Sequence, residues 1–478
     1  MVRTRFAPSP TGYMHIGNLR TALYEFLIAK HNDGKFILRI EDTDKGRYVE
    51  GSVDVIYNTL RIAGLNHDEG PDIGGNYGPY IQSERKSNYM EYAKQLINQK
   101  KAYYCFCTKE RLESLSKNIS DEEVVTYDRH CLNLSAEEIE NNLKNNVPFI
   151  IRQFIPEGET TFNDLVFGEI TVNNSELDDQ VLIKSDGLPT YNFANVVDDH
   201  LMEISHVIRG SEYLSSTPKY NLLYGAFGWD VPIYMHLPLL LNENGHKLSK
   251  RLGDASFEDL LSEGFLPDAI INYIALLGWS PSDNREFFTL DELIAAFDGG
   301  GISKSPSIFD KQKLVWMNGE YIKKLSPEKF YEMALPYLKV IKDEGISLKK
   351  LSEMVKTRVN FVKEIPDLIS FINTLPEYQT DLYIHKKMKT TPENSLASLR
   401  ALLGLIKNID GFSEENLHAQ ISALISEMGV KNAIVLWPLR TALSGQPTSP
   451  CGGIELLSLL GKEESIKRLE KGIQLLEI

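Results

Sequence analysis

Two stretches of this 478-residue chain carry residue types in spacings that could do chemistry. The first is Pro8-Ser9-Pro10-Thr11-Gly12-Tyr13-Met14-His15-Ile16-Gly17-Asn18, a proline- and glycine-marked turn that runs into apolar residues at helical spacing. A helix start offers unpaired N–H groups and the positive end of the helix dipole, a combination that suits a phosphate chain. His15 and Asn18 add donors for phosphoryl oxygens, and Gly17, without a side chain, would let a flat base approach the backbone. The same histidine could simply cap a helix, so the stretch is unspecific by itself. The second is Lys247-Leu248-Ser249-Lys250-Arg251, which follows an apolar run and the polar loop Asn242-Glu243-Asn244-Gly245-His246. Its cations suit neutralisation of charge developing on a departing pyrophosphate. Alone it reads as a solvated basic loop; paired with the first, it points to nucleotide chemistry.

The elements around these stretches read as a doubly wound α/β domain. Arg3 to Ala7 is a strand candidate, residues 8–12 a turn, and Asn18 to His31 a helix with Leu19, Ala22, Leu23, Phe26 and Leu27 on one face. Asn32-Asp33-Gly34 ends it, Phe36 to Ile40 is a second strand, and Val49 to Gly64 a second helix. Such βαβα order predicts a parallel sheet with ligands at the carboxyl ends of its strands. From about 101 to 185 the pattern changes to a Cys pair, a Ser135-x-x-Glu138 capping box and short β-like runs at 149–154 and 169–172, the signature of an inserted α+β subdomain. Strand–helix alternation resumes around 186–209. Beyond Ser256 the chain is mainly helical, with a Thr289-x-x-Glu292 box and Ser326-Pro327 and Thr391-Pro392 helix starts. This predicts a catalytic region over 1–322, including a helical linker subdomain about 245–322, and an all-helical domain over 323–478.

Composition narrows the classes. With 42% hydrophobic residues the chain can fill more than one core. No signal segment and no apolar run of membrane-spanning length is present, so a soluble cytoplasmic protein is expected. Four cysteines, three of them clustered at 105, 107 and 131, do not make a disulfide framework. A formal net charge of −15 excludes indiscriminate nucleic-acid binding, which depends on many Lys and Arg. Any RNA contact must use local clusters: Lys349-Lys350, Lys356 with Arg358, His385-Lys386-Lys387 with Lys389, and Lys467-Arg468 with Lys471, with Trp316 and Trp437 available to stack or pack.

Together the two stretches resemble the paired signatures of class I aminoacyl-tRNA synthetases. Within that class the chain is similar to bacterial-type glutamyl enzymes through residues 5–12, Arg39-Ile40-Glu41-Asp42-Thr43-Asp44, Gly78-Pro79-Tyr80 with Gln82-Ser83-Glu84-Arg85, and Pro189 to Asp199. The likeness runs from Arg3 to about Tyr321 and more loosely to the end. Asn18 stands where the first signature has a second His, and Arg251 where the other ends in Ser.

The resemblance implies ATP-dependent activation of L-glutamate and its transfer to tRNA(Glu), with tRNA(Gln) as an additional acceptor in a non-discriminating form. It implies that ATP, with Mg²⁺, meets Ser9, Thr11, Gly12, His15, Gly17, Asn18, Lys250 and Arg251, with His15, Asn18, Lys247 and Lys250 as the catalytic set. Arg5 and Arg209 are suited to the substrate's two carboxylates, in an order left open, because a guanidinium binds a carboxylate through paired donors. Glu41 would receive the α-ammonium, with Ser9, Tyr191 and Asn195 as orienting partners. Many relatives hold a structural Zn²⁺ through Cys-x-Cys and a later Cys-x-His. Here Cys105, Cys107 and Cys131 are present but Asn133 is a poor ligand, leaving Tyr127 or His130 as fourth donor, or a lapsed site of free thiols. The helical C-terminal domain would read the anticodon, with Arg358 and Arg440 as candidates, and a monomer is implied.

Other readings fit less well. Glutaminyl enzymes carry a smaller neutral residue at the position of Arg209 and end in β-barrels. A truncated glutamyl-queuosine enzyme lacks a C-terminal domain. A tRNA-independent nucleotidyltransferase needs neither the insertion nor the helical domain, and a dead regulator would not retain Arg5, His15, Glu41 and Lys250.

Overall fold

The computed structural model describes residues 1–44, 46, 48–116, 127–248 and 256–477. They form two compact units, Met1–Glu263 with Pro267–Lys311, and Gly264–Leu266 with Gln312–Ile478.

The first unit opens with β1 (Arg3–Phe6), α1 (Ile16–His31) and β2 (Lys35–Leu38), β1 and β2 being parallel with Arg3 opposite Lys35. Helix α1 begins at Ile16 rather than Asn18, because His15 has extended backbone and its ring accepts a hydrogen bond from Gly17 N–H. Leu19, Leu23 and Leu27 on its inner face are fully buried. Gly34 ends the αβ turn where a side chain would collide with the Val2 carbonyl. Then come α2 (Ser52–Ile62), α3 (Lys86–Asn98), β3 (Ala102–Cys105), α4 (Lys109–Ser116), α5 (Ala136–Lys144), β4 (Ile150–Gln153), β5 (Glu159–Asp164), β6 (Gly168–Asn173) and β7 (Val181–Ile183). The expected capping box opens α5, with Ser135 and Glu138 satisfying each other's backbone N–H. Next follow α6 (Tyr191–Leu201), β8 (His206–Gly210), α7 (Thr217–Phe227) and β9 (Ile233–Leu237).

Among the described residues, β6-β5-β9-β8 form a four-stranded sheet in which β8–β9 and β5–β9 are parallel and β5–β6 antiparallel. The 159–173 run, read from sequence as part of the insertion, is therefore a hairpin built onto the main sheet. A separate antiparallel sheet, β3-β4-β7, carries the remainder of that segment. Ser205 N–H donates to the Arg3 carbonyl at 3.0 Å and Arg5 lies against Ile208, so β1 runs beside β8 in the same sense. The carboxyl ends of β1, β8 and β9 thus gather at one edge, where α1 and α6 start. Strands β10 (Leu240–Leu241) and β11 (Ser307–Ile308) pair nearby, with α8 (Phe257–Glu263), α9 (Pro267–Ala275) and α10 (Leu290–Ala296) between them in sequence; the Thr289–Glu292 box caps α10.

In the second unit, α11 (Lys311–Lys324), α12 (Pro327–Leu338), α13 (Leu348–Lys356), α14 (Ile365–Ile369), α15 (Pro392–Asn408), α16 (Glu414–Met428), α17 (Asn432–Ser444) and α18 (Gly453–Glu477) surround one apolar core that includes Phe330, Leu351, Leu402, Leu439 and Leu469. Ser326 and Thr391 cap α12 and α15, each with proline in the first turn. The unit starts about one helix before residue 323. Leu266 N–H donates to Asn318 Oδ1 at 2.8 Å, which ties residues 264–266 to α11.

Candidate active site

A cleft of about 440 Å³ opens at the carboxyl ends of β1 and β8 and at the start of α1. Its walls include Arg5, Ser9, Thr11, His15, Gly17, Asn18, Glu41, Tyr191, Arg209 and Lys247, ten of the residues singled out from sequence. Gly12 and Asn195 are not part of the lining. Gly12 supplies the turn through a φ of 106°, a conformation that favours glycine. Asn195 lies one helical turn beyond Tyr191 on α6, buried, with its side-chain amide directed at the Tyr220 hydroxyl. Lys250 and Arg251 lie outside the described residues.

His15 Nδ1 accepts from Gly17 N–H at 3.0 Å. In the neutral ring the proton therefore resides on Nε2, making His15 a donor as well as a cap. Gly17 has a further role not foreseen: a Cβ there would stand 3.2 Å from His15 Nδ1 and press on the capping ring. Lys247 pairs with Glu212 at 3.2 Å, both partly exposed, and is thereby held at the cleft.

The two arginines differ sharply. Arg5 already has its counter-charge: Nε and Nη2 bind the two oxygens of Asp199 at 3.0 and 3.2 Å, and Nη1 lies 3.5 Å from Glu25. Asp199 also accepts from Arg39 at 2.7 Å, and Arg39 grips Glu41 Oε1 at 2.9 Å. Burial opposes the Asp199 charge, but Arg5 and Arg39 outweigh it and hold the carboxyl below its ordinary value. For Glu41 burial wins; the carboxyl is pushed up to about 7 despite Arg39 and Arg5. Glu25, also in the wall, is raised well above the carboxylate range by burial, and its Oε2 has no partner. Arg209 is 6% exposed and donates only to neutral groups, His236 Nε2 at 3.1 Å and Thr217 Oγ1 at 3.0 Å. Among the described residues no carboxylate lies within ion-pair distance of it.

Sequence reasoning missed Arg39, Asp199 and Glu25, although the first two lie inside the motifs quoted for the resemblance; an unassigned charge within such a motif was the available signal. Arg20 was also missed: it lines the cleft and donates to the Leu277 and Pro238 carbonyls.

Cys105, Cys107 and Cys131 converge as expected, Cys107 and Cys131 Sγ lying 3.5 Å apart. The Tyr127 hydroxyl lies 3.4 Å from Cys105 Sγ and 3.3 Å from Cys107 Sγ. These spacings approach the edges of roughly 3.5–3.8 Å implied by tetrahedral zinc–thiolate and zinc–oxygen bond lengths, so the donor set fits one Zn²⁺. His130 is exposed and not part of this cluster; following the Arg129 turn, its ring leaves Tyr127 as the inward group.

In the second unit several of the basic clusters serve the structure. Arg468 is buried and donates to the Leu443 and Ile372 carbonyls, Lys350 pairs with Glu414, and Lys356 donates to the Leu325 carbonyl. Arg358 is exposed. Arg440 lies 4.4 Å over the Trp437 ring, donates to Gln446 O, and has its Nη2 buried without a partner. Trp437 is itself anchored to the Leu382 carbonyl at 3.0 Å and packs against His385.

With this geometry in place, comparison with known proteins decides the family. Residues 1–316 match the family of tRNA synthetases class I (E and Q), catalytic domain, and residues 329–473 match an anticodon binding domain. The chain belongs to the class I tRNA synthetases of the E and Q type. Among relatives of this synthetase, the glutamate–tRNA ligase of Clostridium novyi (strain NT) is 60% identical over 481 residues, covering 100% of this chain and 98% of its own. That of Clostridium kluyveri is 60% identical over 479 residues with the same coverage. Two solved structures, a glutamate tRNA ligase of Elizabethkingia meningosepticum in complex with its amino acid and a glutamate–tRNA synthetase of Elizabethkingia anophelis, share 38% and 37% identity. Each covers 99% of both chains, with TM-scores of 0.85 and 0.86. The synthetase has, among its described residues, no helix long and apolar enough to cross a membrane.

Proposed function

We propose that this synthetase is a glutamate–tRNA ligase, joining L-glutamate to the 3′-terminal adenosine of tRNA(Glu) at the expense of ATP. The observation that carries the reading is Arg209, a buried guanidinium in the cleft wall with no carboxylate of its own among the described residues. An unpaired buried cation is costly, and a substrate side-chain carboxylate removes the cost by pairing with it. Arg5, already neutralised by Asp199, instead frames the site, so the side-chain carboxylate goes to Arg209. Glu41 takes the α-ammonium, and Tyr191 and Ser9 orient the amino acid, with the buried Asn195 behind them. The names borne by the clostridial relatives support the same assignment.

ATP lies along the start of α1, where Thr11, His15 and Asn18 meet its phosphates. The α-carboxylate attacks the α-phosphorus in line; glutamyl-adenylate forms as pyrophosphate leaves toward Lys247, Lys250 and Arg251, and the terminal ribose hydroxyl of tRNA then displaces AMP. No protein nucleophile is needed, so catalysis is positioning and charge stabilisation. Mg²⁺ accompanying ATP would add charge neutralisation at the phosphates. Cys105, Cys107, Cys131 and Tyr127 would hold one structural Zn²⁺, and the second unit would meet the anticodon, with Arg358, which is exposed, and Arg440, which packs over Trp437, as the candidates.

The test is charging of purified tRNA(Glu) and tRNA(Gln) in parallel with glutamate or glutamine, alongside pyrophosphate exchange with and without tRNA. Glutamate-specific charging of tRNA(Glu), lost in Lys250→Ala, is expected, and charging of tRNA(Gln) as well would identify the non-discriminating form. Glutamine preferred to glutamate, or undiminished charging by Lys250→Ala, would overturn the assignment.

A further inference from the structure

The groups that hold Arg209 have a feature that simple anchoring does not require. Asp164, at the end of β5, and His236, in β9, are both within the sheet core, 3% and 0% exposed. Asp164 Oδ1 is fixed by Val166 and Phe167 N–H at 2.9 and 2.8 Å; Oδ2 accepts from His236 N–H at 2.9 Å and lies 2.7 Å from His236 Nδ1. That carboxylate can only accept, so Nδ1 carries the ring proton and Nε2 presents a lone pair. The lone pair is what receives Arg209 Nε at 3.1 Å. Thr217 Oγ1, which donates to the Tyr213 carbonyl at 2.9 Å, likewise turns a lone pair to Arg209 Nη2 at 3.0 Å. Tyr213, Tyr220 and Tyr234 complete the cradle, with ring centroids 5.3, 4.5 and 5.6 Å from the guanidinium carbon.

Among the described residues, every group touching Arg209 is therefore neutral. A carboxylate in direct contact would hold the arginine as firmly, as Asp199 holds Arg5, but would cancel the charge that selects an anion. Interposing an imidazole keeps the Asp164 charge one ring away while using it to fix the tautomer and the ring plane, the logic by which buried carboxylates orient histidines elsewhere.

We infer that Asp164 and His236 form a positioning relay that aims Arg209 at the substrate's side-chain carboxylate and leaves its charge uncompensated, so that preference for glutamate over glutamine depends on His236. The inference rests on the reading of Arg209 given above. Burial also holds the His236 pKa below its ordinary value, outweighing the Asp164 hydrogen bond that raises it, which favours the neutral ring the relay needs.

The decisive experiment compares His236→Asn, His236→Gln and Arg209→Ala in pyrophosphate exchange with tRNA present and glutamate, glutamine and ATP each varied. Asn can reproduce the donor to Asp164 but is too short to reach Arg209; Gln can place an acceptor where Nε2 stands. His236→Asn should raise KM for glutamate by about ten-fold or more, with KM for ATP unchanged, and narrow the glutamate/glutamine ratio of kcat/KM by a similar factor. His236→Gln should recover most of both. Thermal unfolding of each variant accompanies the kinetics; a fall in Tm shared by both histidine variants without a change confined to glutamate KM would mark a purely structural role and overturn the relay. Equal glutamate KM for wild type and His236→Asn would overturn it as well. If Arg209→Ala itself left glutamate selection intact, the assignment of Arg209 would fall first; selection lost in Arg209→Ala but kept in His236→Asn would sink the relay alone.

Discussion

If Glu41 receives the α-ammonium, as proposed, its ionisation should make activity depend on pH. Its carboxyl is buried, accepts from Arg39, and is pushed up to about 7 by desolvation against the pull of Arg39 and Arg5. To receive an α-ammonium it must be ionised. In the free protein about nine-tenths of Glu41 is ionised at pH 8 and about one-tenth at pH 6, so kcat/KM for glutamate should fall roughly tenfold over that interval. A carboxyl at the ordinary value would change kcat/KM by only about 3% over the same range. Glu41→Gln should lose the ion pair with the substrate, which costs on the order of 2–5 kcal/mol when one partner of a buried charged pair is removed, or roughly 30-fold or more in kcat/KM. Its profile from pH 6 to 8 should also be flat. The assay is pyrophosphate exchange at saturating ATP and tRNA, with glutamate varied at each pH. The sign carries over to stability. Because the folded pKa is above the unfolded one, the folded state binds the extra proton more readily. Ionisation of Glu41 then destabilises the free protein as pH rises from about 4.5 to about 7, by about 3 kcal/mol once complete. Bound glutamate relieves this, so it should raise Tm more at pH 8 than at pH 6. A wild-type profile flat between pH 6 and 8, or the same acid limb persisting in Glu41→Gln, would refute the reasoning.

Two further outcomes follow from named contacts. Metal analysis of protein purified without chelator should find about one zinc per chain; Tyr127→Phe should lower that occupancy and His130→Ala should not, whereas equal occupancy in Tyr127→Phe would exclude the phenol as a ligand. Asp199→Asn removes the anion shared by Arg5 and Arg39 and should destabilise the first unit by about 3 kcal/mol or more in urea unfolding, because it leaves two buried guanidiniums short of counter-charge; a loss well under 1 kcal/mol would show that Glu25 and Glu41 suffice.

Much of the architecture was legible because its signals are local. Ser135–Glu138, Thr289–Glu292, Ser326-Pro327 and Thr391-Pro392 each announce a helix start through groups within a few residues, and each is one. The turn before α1 and the apolar face of that helix were likewise readable, and the turn lines one end of the cleft. The resemblance, supported by their residue types, nominated Arg5, Glu41 and Arg209. Their division of labour was not local. Asp199 is 194 residues from Arg5, and Asp164 is 72 from His236; only the packing of β1, β8 and β9 against α6 and β5 brings them within hydrogen-bond reach. Nothing near Arg5 in sequence says that it is neutralised, and nothing near Arg209 says that it is not. The choice between Tyr127 and His130 had the same character: both flank Cys131 in sequence, and burial of the phenol against three thiols, with the imidazole left in solvent, favours the phenol as the inward donor. Sequence carries the kinds of charge and the periodicity that buries them. Which charges cancel depends on distances between distant segments, because electrostatic pairing in a low-dielectric interior is set by a few ångströms that no spacing along the chain encodes.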